Sequence, residues 1–69
     1  METTNFNSQD IKSATYDEIT SELYVRFTNG DYYVYYDVLS VDYIGFLSSE
    51  DHSQYIKEQL SDKYDKRKL

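Results

Sequence analysis

The sequence contains no cysteine and no proline in its 69 residues. Without cysteine, disulfide bonds, thiolate metal sites and cysteine nucleophiles are all excluded, and a reducing compartment is favoured. A chain of this length forms one domain and buries only about 60% of the surface that its unfolded state exposes. The fold must therefore be held together by a small core through packing alone.

Long apolar runs and an export signal are also missing. The apolar stretches are a few residues long, whereas a membrane-spanning helix needs about 20. The N-terminal METTNFNSQD lacks the basic start and the apolar run of a secretory signal. These absences predict a soluble cytoplasmic protein that does not associate with membranes.

Motifs that carry catalysis are absent as well. The sequence has no glycine-rich phosphate loop, paired zinc ligands, nucleophile elbow or calcium loop. The single histidine, His52, lies at a predicted helix start with no partner pattern that would make it a general base. A capping or surface role is favoured for this histidine. We expect no enzymatic activity, no cofactor and no metal site.

Basic residues are scarce until the end of the chain. Residues 1–56 hold two basic and ten acidic side chains, a net charge of −8, whereas residues 57–69 hold five basic and three acidic ones, a net of +2. An acidic body repels a phosphate backbone, which disfavours binding to nucleic acid. It suits a basic protein partner, such as a host enzyme that handles nucleic acid; alternatively, the charge only keeps the domain soluble.

The chain divides into a polar, flexible N-terminal arm (1–9), one domain (10–64) and a basic tail (65–69). A first strand is predicted over residues 10–16, with a turn at 17–21. The stretch ELYVRFT then alternates with period two, which places Leu23, Val25 and Phe27 on one face of a second strand.

Asn29-Gly30 is a strong hairpin signal after this strand. A two-residue turn would set Phe27 opposite Tyr32. A three-residue loop, 28–30, would set Phe27 opposite Asp31 and would exchange the inward and outward sides of the next strand.

We favour the three-residue loop, because it pairs Val25 with Tyr33 and Leu23 with Tyr35 in one apolar layer. The side chains expected to face outward are then Tyr24, Arg26, Tyr32, Val34 and Tyr36. A tyrosine-rich outer face has the composition of an interface.

Helix signals follow the hairpin. Ser40 is a good N-cap, and Val41, Ile44 and Leu47 form an apolar stripe of the kind that faces a core, with Tyr43 and Phe46 flanking it. Gly45 weakens such a helix by about 1 kcal/mol relative to alanine, so a close packing contact is expected there.

A second helix is predicted from Asp51, with Gln54 at the capping-box position and with Ile56, Leu60 and Tyr64 at a spacing of four. Three strands followed by two helices predict an α+β domain. Its sheet is a three-stranded antiparallel meander, and both helices pack on one face.

The residues from DIKSATYD to SDKY resemble the KTSC family, short domains found alone in bacteria and phages and at the C-terminus of some lysyl-tRNA synthetases. The matching positions are Ile11, Tyr16, Leu23, Val25, Phe27, Asn29, Gly30, Tyr33, Tyr35, Val38, Leu47, Tyr55, Leu60 and Tyr64. The resemblance implies an RNA-binding accessory domain, with tyrosines as stacking platforms and Lys63, Lys66, Arg67 and Lys68 as phosphate contacts.

A shorter stretch, YYVY followed by LSVDY, is similar to small phage inhibitors of uracil-DNA glycosylase that imitate DNA. Those inhibitors present an acidic residue beside aromatic side chains, parts that Asp42 and Tyr43 would play here.

Our leading hypothesis is a non-enzymatic protein-binding module: a phage-encoded inhibitor whose acidic, tyrosine-rich surface mimics DNA and blocks a basic site of a DNA- or RNA-handling enzyme, for example a uracil-DNA glycosylase. The predicted partner-binding residues are Tyr24, Tyr32, Tyr36, Asp37, Asp42 and Tyr43. The alternatives are the RNA-binding domain and a homodimer formed through the sheet face or an edge strand.

Overall fold

The computed structural model describes residues 2–6 and 9–69 and places them in one five-stranded antiparallel sheet with helices between its fourth and fifth strands. The sheet order is the chain order. The strands are β1 (Glu2–Asn5), β2 (Ile11–Asp17), β3 (Glu22–Phe27), β4 (Tyr32–Tyr35) and β5 (Lys66–Lys68). The helices are α1 (Ser40–Ser48) and α2 (His52–Tyr55), the second continuing as a π-helical turn over Ile56–Leu60.

The α+β class and the antiparallel sheet with two helices are confirmed, but the prediction of three strands was wrong. The two additional strands come from segments that were assigned to the N-terminal arm and the basic tail. β1 has the sequence ETTN and β5 the sequence KRK, so neither shows the alternation of apolar and polar residues that identifies a strand. Residues 1, 7 and 8 of the expected arm lie outside the described residues.

The register of the central hairpin is the one that the three-residue loop predicts. Val25 pairs with Tyr33 and Leu23 pairs with Tyr35. Phe27 N–H donates to the Asp31 carbonyl at 2.8 Å, which closes the loop. Gly30 has φ +99°, in the left-handed region that such a loop requires and that glycine adopts without strain.

The core lies between one face of the sheet and the helices. Ile11, Leu23 and Val25 are fully buried there. The helical side contributes Phe46, Ile56 and Leu60, and buried tyrosines complete the cluster: Tyr16, Tyr35 and Tyr43. The opposite face, which we call the open face, has no helix packed on it among the described residues.

Helix α1 turns a different side to the core from the one predicted. Tyr43 and Phe46 are 4% and 0% exposed, whereas Val41 and Ile44 are 67% and 60% exposed. The prediction that Val41 and Ile44 face the core was therefore wrong, since two rings fill more core volume than two aliphatic side chains. The N-cap is Leu39 rather than Ser40, and it makes no side-chain cap bond.

The second helix begins as predicted. The Asp51 carboxylate accepts a hydrogen bond from Gln54 N–H at 3.0 Å. The predicted close contact at Gly45 is also present, because a Cβ there would lie 2.5 Å from the Tyr55 hydroxyl. The helix ends at Leu60, and Tyr64 packs on the core from the turn that leads into β5.

Candidate interaction surfaces

The six predicted partner-binding residues do not form one surface. Tyr24 and Tyr32 lie on the open face, where their rings stack with centroids 6.1 Å apart. Tyr36 follows directly after β4 and is half-buried. Tyr24 and Tyr32 lie on the side that the predicted register gives them, whereas Val34, which belongs to the same outward set, is only 2% exposed.

The open face, which was expected to be negative, carries both signs of charge, since the Tyr24 hydroxyl donates to Glu22 Oε1 at 3.3 Å and two arginines lie on the same face. The Arg26 guanidinium lies 4.4 Å from the centroid of the Tyr32 ring, an attractive cation–π geometry. Pairing across the sheet aligns Tyr24, Val34 and Arg67 in one row. Both arginines of the chain therefore lie among the outward tyrosines, and the basic tail supplies one of them.

The other three predicted residues are placed differently. Asp37 is exposed, with a left-handed backbone (φ 56°), just before α1. Tyr43 is buried and stacks on Tyr16 at a centroid distance of 4.6 Å. Tyr43 is thus part of the core and does not lie on a docking surface.

Asp42 is engaged within the molecule. Lys63 Nζ lies 2.8 Å from its carboxylate, and the Tyr64 hydroxyl donates a short hydrogen bond to the same oxygen. The Tyr64 hydroxyl also accepts from Leu39 N–H at 3.2 Å. The hydrogen bonds from Lys63 and Tyr64 lower the pKa of Asp42 because they stabilise its charged form.

An exposed aliphatic surface, which sequence reasoning missed, adjoins this network. We call it the aliphatic patch: its members are Ile19 (90% exposed), Leu39 (56%), Val41 (67%) and Ile44 (60%). The turn that carries Ile19 is joined to the segment that carries Leu39, because Val38 N–H donates to the Ser21 carbonyl at 2.8 Å. The sequence did contain a signal for this surface. Tyr43 and Phe46 compete with the aliphatic stripe for the side of α1 that faces the core, and burial of the two rings leaves Val41 and Ile44 exposed.

His52 has a packing role. Its ring contacts the rings of Phe6 and Phe46, at centroid distances of 4.4 and 5.4 Å, and those two rings also contact each other at 5.4 Å. Nδ1 lies 2.9 Å from the Phe46 carbonyl oxygen and 3.1 Å from Ser49 Oγ; because the carbonyl can only accept, a hydrogen bond to it requires the proton to be on Nδ1. In residues 2–6 and 9–69, no three histidine, cysteine, aspartate or glutamate side chains are grouped as a metal site would require.

No helix in the described part of the chain combines the length and the apolar character that crossing a membrane requires.

The fold is that of a small α+β domain in which one sheet face is covered by helices and the other is open. The chain belongs to the KTSC family: the family model for the KTSC domain matches residues 7–64. The crystal structure of a KTSC domain protein from Yersinia pestis is similar, with a TM-score of 0.88 at 23% sequence identity, over 99% of this chain and 96% of that chain. Among curated proteins, none matches the sequence.

These matches confirm the first resemblance drawn from the sequence. The second, to phage inhibitors of uracil-DNA glycosylase, has no support in them. The placement of its two expected binding residues also disagrees, since Tyr43 is buried and Asp42 is paired with Lys63.

Proposed function

We propose that this KTSC domain is a non-enzymatic protein-binding module that docks through the aliphatic patch. The observation that carries the proposal is the exposure of four large aliphatic side chains, 56% or more each, on α1 and the adjoining segments. Exposed apolar side chains that gather into one patch are typical of a protein interaction site, and we infer that these four side chains do so. Nucleic acid offers little aliphatic surface to bury against such a patch, so a protein partner is favoured.

The backbone that presents the patch is well fixed. Leu39 accepts the first backbone bonds of α1, from Asp42 N–H at 3.0 Å and Tyr43 N–H at 3.1 Å. Tyr43 and Phe46 hold the opposite side of α1 in the core. A rigid helix that presents Val41 and Ile44 at a spacing of three loses little conformational freedom on binding.

The charge of the domain favours a basic partner. Glu18 directly precedes Ile19, Asp37 lies two residues before Leu39, and both carboxylates are exposed. The whole chain carries a formal charge of −6. Complementary charge accelerates association more than it strengthens the final complex. A basic protein that handles nucleic acid is the partner class that this charge favours.

Quantitative co-purification from the cells that encode the protein tests this function. The variant Val41→Ser/Ile44→Ser removes the centre of the patch, and its stability should change little because both side chains are exposed. The matched control, Tyr24→Ser/Tyr32→Ser, alters the open face instead. We expect wild type and control to recover the same partner and the patch variant to lose it; equal recovery by the patch variant would contradict the proposal.

A second candidate, binding of single-stranded RNA by the open face, is favoured by one specific arrangement. Arg26 lies over Tyr32, which stacks with Tyr24, and Arg67 lies in the neighbouring row. Aromatic rings and arginines on a sheet can stack bases. Fluorescence anisotropy with single-stranded RNA at about 50 mM salt, where phosphate contacts are strongest, tests it. Binding that the open-face variant abolishes and the patch variant retains would support RNA as the ligand, and no binding at this salt would exclude it.

A further inference from the structure

The C-terminal segment 65–69 lies along β4 as the last strand of the sheet. Tyr36 N–H donates to the Asp65 carbonyl at 2.9 Å, and Leu69 N–H donates to the Tyr32 carbonyl at 2.7 Å. In an antiparallel ladder, residue pairs that exchange backbone hydrogen bonds alternate with residue pairs that do not. Val34 and Arg67, which pair midway between these two bonds, are therefore a bonded pair.

This segment contributes nothing to the core. All of its residues are exposed, and its ion pair within the described part of the chain, Lys68 with Asp31 at 3.3 Å, joins side chains that are 61% and 35% exposed. The chain just before it is fixed separately, because Tyr64 packs on the core and bonds to Asp42. The contact between this segment and the end of the helical region is an exposed one, Lys66 Nζ to Ser61 Oγ at 3.4 Å, and exposed side-chain contacts of this kind do little to hold a strand.

The surface beneath the segment suits alternating basic side chains. Lys66 Nζ lies 5.8 Å from the centroid of the Tyr33 ring, and Lys68 pairs with Asp31. Beyond them is a cleft of about 290 Å³ whose lining, in the part of the chain that the structure describes, includes the Asp10 and Asp31 carboxylates, the Phe27 and Tyr33 rings and the Lys57 ammonium group. Carboxylates beside aromatic faces attract an alkylammonium or guanidinium group.

We propose that the edge of β4, together with this cleft, is a docking site for an extended basic segment of a partner protein, and that segment 65–69 occupies it as a competing strand. Addition of a strand to a sheet edge gives affinity through backbone hydrogen bonds and specificity through alternate side chains. Lysines at alternate positions, as at Lys66 and Lys68, are the side chains that the site selects. The site is separate from the aliphatic patch, so the inference does not depend on the proposed function.

The test is an NMR titration of the full-length ¹⁵N-labelled protein with a blocked peptide of the sequence DKRKL. The variant Arg67→Pro removes the backbone donor in the middle of β5, and Arg67→Ala is its matched control, since it loses the same side chain but keeps the donor. In wild type and in Arg67→Ala, the tethered segment 65–69 competes with the peptide for β4 at millimolar effective concentration. Arg67→Pro weakens this competitor, so we expect it to bind the peptide at least about five-fold more tightly than the other two proteins. The backbone amide signals of residues 32–36 should shift, and Asp31→Asn in the Arg67→Pro background should weaken binding again.

Three results would overturn the proposal. The first is equal binding by Arg67→Pro and Arg67→Ala. The second is equal binding of a peptide whose central arginine amide is N-methylated, because that peptide keeps its charge and loses the strand hydrogen bond. The third is a wild-type dimer in analytical ultracentrifugation that Arg67→Pro abolishes, because the occupant of β4 would then be the tail of a second copy. Retention of the dispersed wild-type amide spectrum by Arg67→Pro establishes that the variant is folded.

Discussion

Two buried tyrosine hydroxyls in the core have opposite surroundings. Tyr16 Oη donates to the Val38 carbonyl at 2.7 Å, whereas Tyr43 Oη is buried with no hydrogen-bond partner among the described residues. The two rings stack on each other, so both changes to phenylalanine preserve the same aromatic contact. Only the first removes a hydrogen bond.

We expect Tyr16→Phe to lower the free energy of unfolding by about 1–3 kcal/mol, because the buried Val38 carbonyl loses its donor. Tyr43→Phe should be neutral or slightly stabilising, since a hydroxyl without a partner is costly to bury. Urea unfolding of the two variants measures the difference. Equal destabilisation by both would contradict the hydrogen-bond assignment.

Asp42 makes stability depend on pH. Its pKa is lowered from the ordinary value of 3.8 by Lys63 and Tyr64, so its stabilising effect is fully present above that value and is lost as the pH falls through the lowered pKa. Asp42→Asn should therefore cost on the order of 1 kcal/mol at neutral pH and progressively less in acid. Thermal unfolding from pH 7 to pH 2 measures this change.

The control for Asp42 is Asp37→Asn, at an exposed carboxylate for which no such network exists in the described part of the chain. Its stability should follow the pH dependence of the wild type. If the Asp42→Asn difference stayed constant into acid, the carboxylate would not be the group that Lys63 and Tyr64 stabilise.

At the level of helices and strands, α1 and α2 meet at Gly45. Alanine is a better helix former than glycine by about 1 kcal/mol, yet its Cβ would lie 2.5 Å from the Tyr55 hydroxyl. We expect Gly45→Ala to destabilise the domain by about 1–3 kcal/mol through this overlap. Ser48→Ala, at an exposed position of the same helix, should instead stabilise it by a few tenths of a kcal/mol.

A double variant isolates the cause of the Gly45 effect. Tyr55→Phe removes the nearest atom and leaves Cζ at 3.3 Å, so it should recover part of the stability that Gly45→Ala loses. Denaturant unfolding of the single and double variants completes the cycle. If Tyr55→Phe recovered nothing, the close approach would not explain the glycine.

The sequence predicted those elements whose residues carry their own signal. β3 alternates, Asn29-Gly30 marks the hairpin, and the pairing of Leu23 and Val25 follows from burial of one face. β1 and β5 could not be predicted from the sequence, because their side chains are polar and show no strand pattern. Each becomes a strand only by pairing with the edge of a neighbouring strand in the fold. For α1, apolar periodicity alone could not decide between its aliphatic and its aromatic side.

For the candidate site, the sequence predicted outward tyrosines but not their surroundings. Arg67 reaches the tyrosine face only because the tail forms β5, and Asp42 is neutralised only because Lys63 lies beside it in the fold. Both contacts are long-range. Charge summed along the chain therefore gave the correct sign for the whole molecule but did not predict that Arg26 and Arg67 share the open face with Glu22.

The electrostatic part of the proposal belongs to the whole molecule. Glu18→Lys/Asp37→Lys reverses the two exposed charges nearest to the aliphatic patch in the sequence. We expect this variant to slow association with the basic partner by several-fold at low salt and to change dissociation little, because charges at the rim of an interface act mainly on the association rate. Surface plasmon resonance at low and moderate salt measures both rates. A change confined to dissociation would contradict a steering role.

Docking through the aliphatic patch is tested most directly by site-specific photo-crosslinking in the cells that encode the protein. Benzoylphenylalanine is placed at Ile44, and at Lys12 as an exposed control on β2. The patch proposal predicts that benzoylphenylalanine at position 44 crosslinks to one distinct basic protein. Benzoylphenylalanine at position 12 should not crosslink to that protein. Crosslinking of the same protein from both positions with equal yield, or no crosslink from Ile44, would contradict docking through this patch.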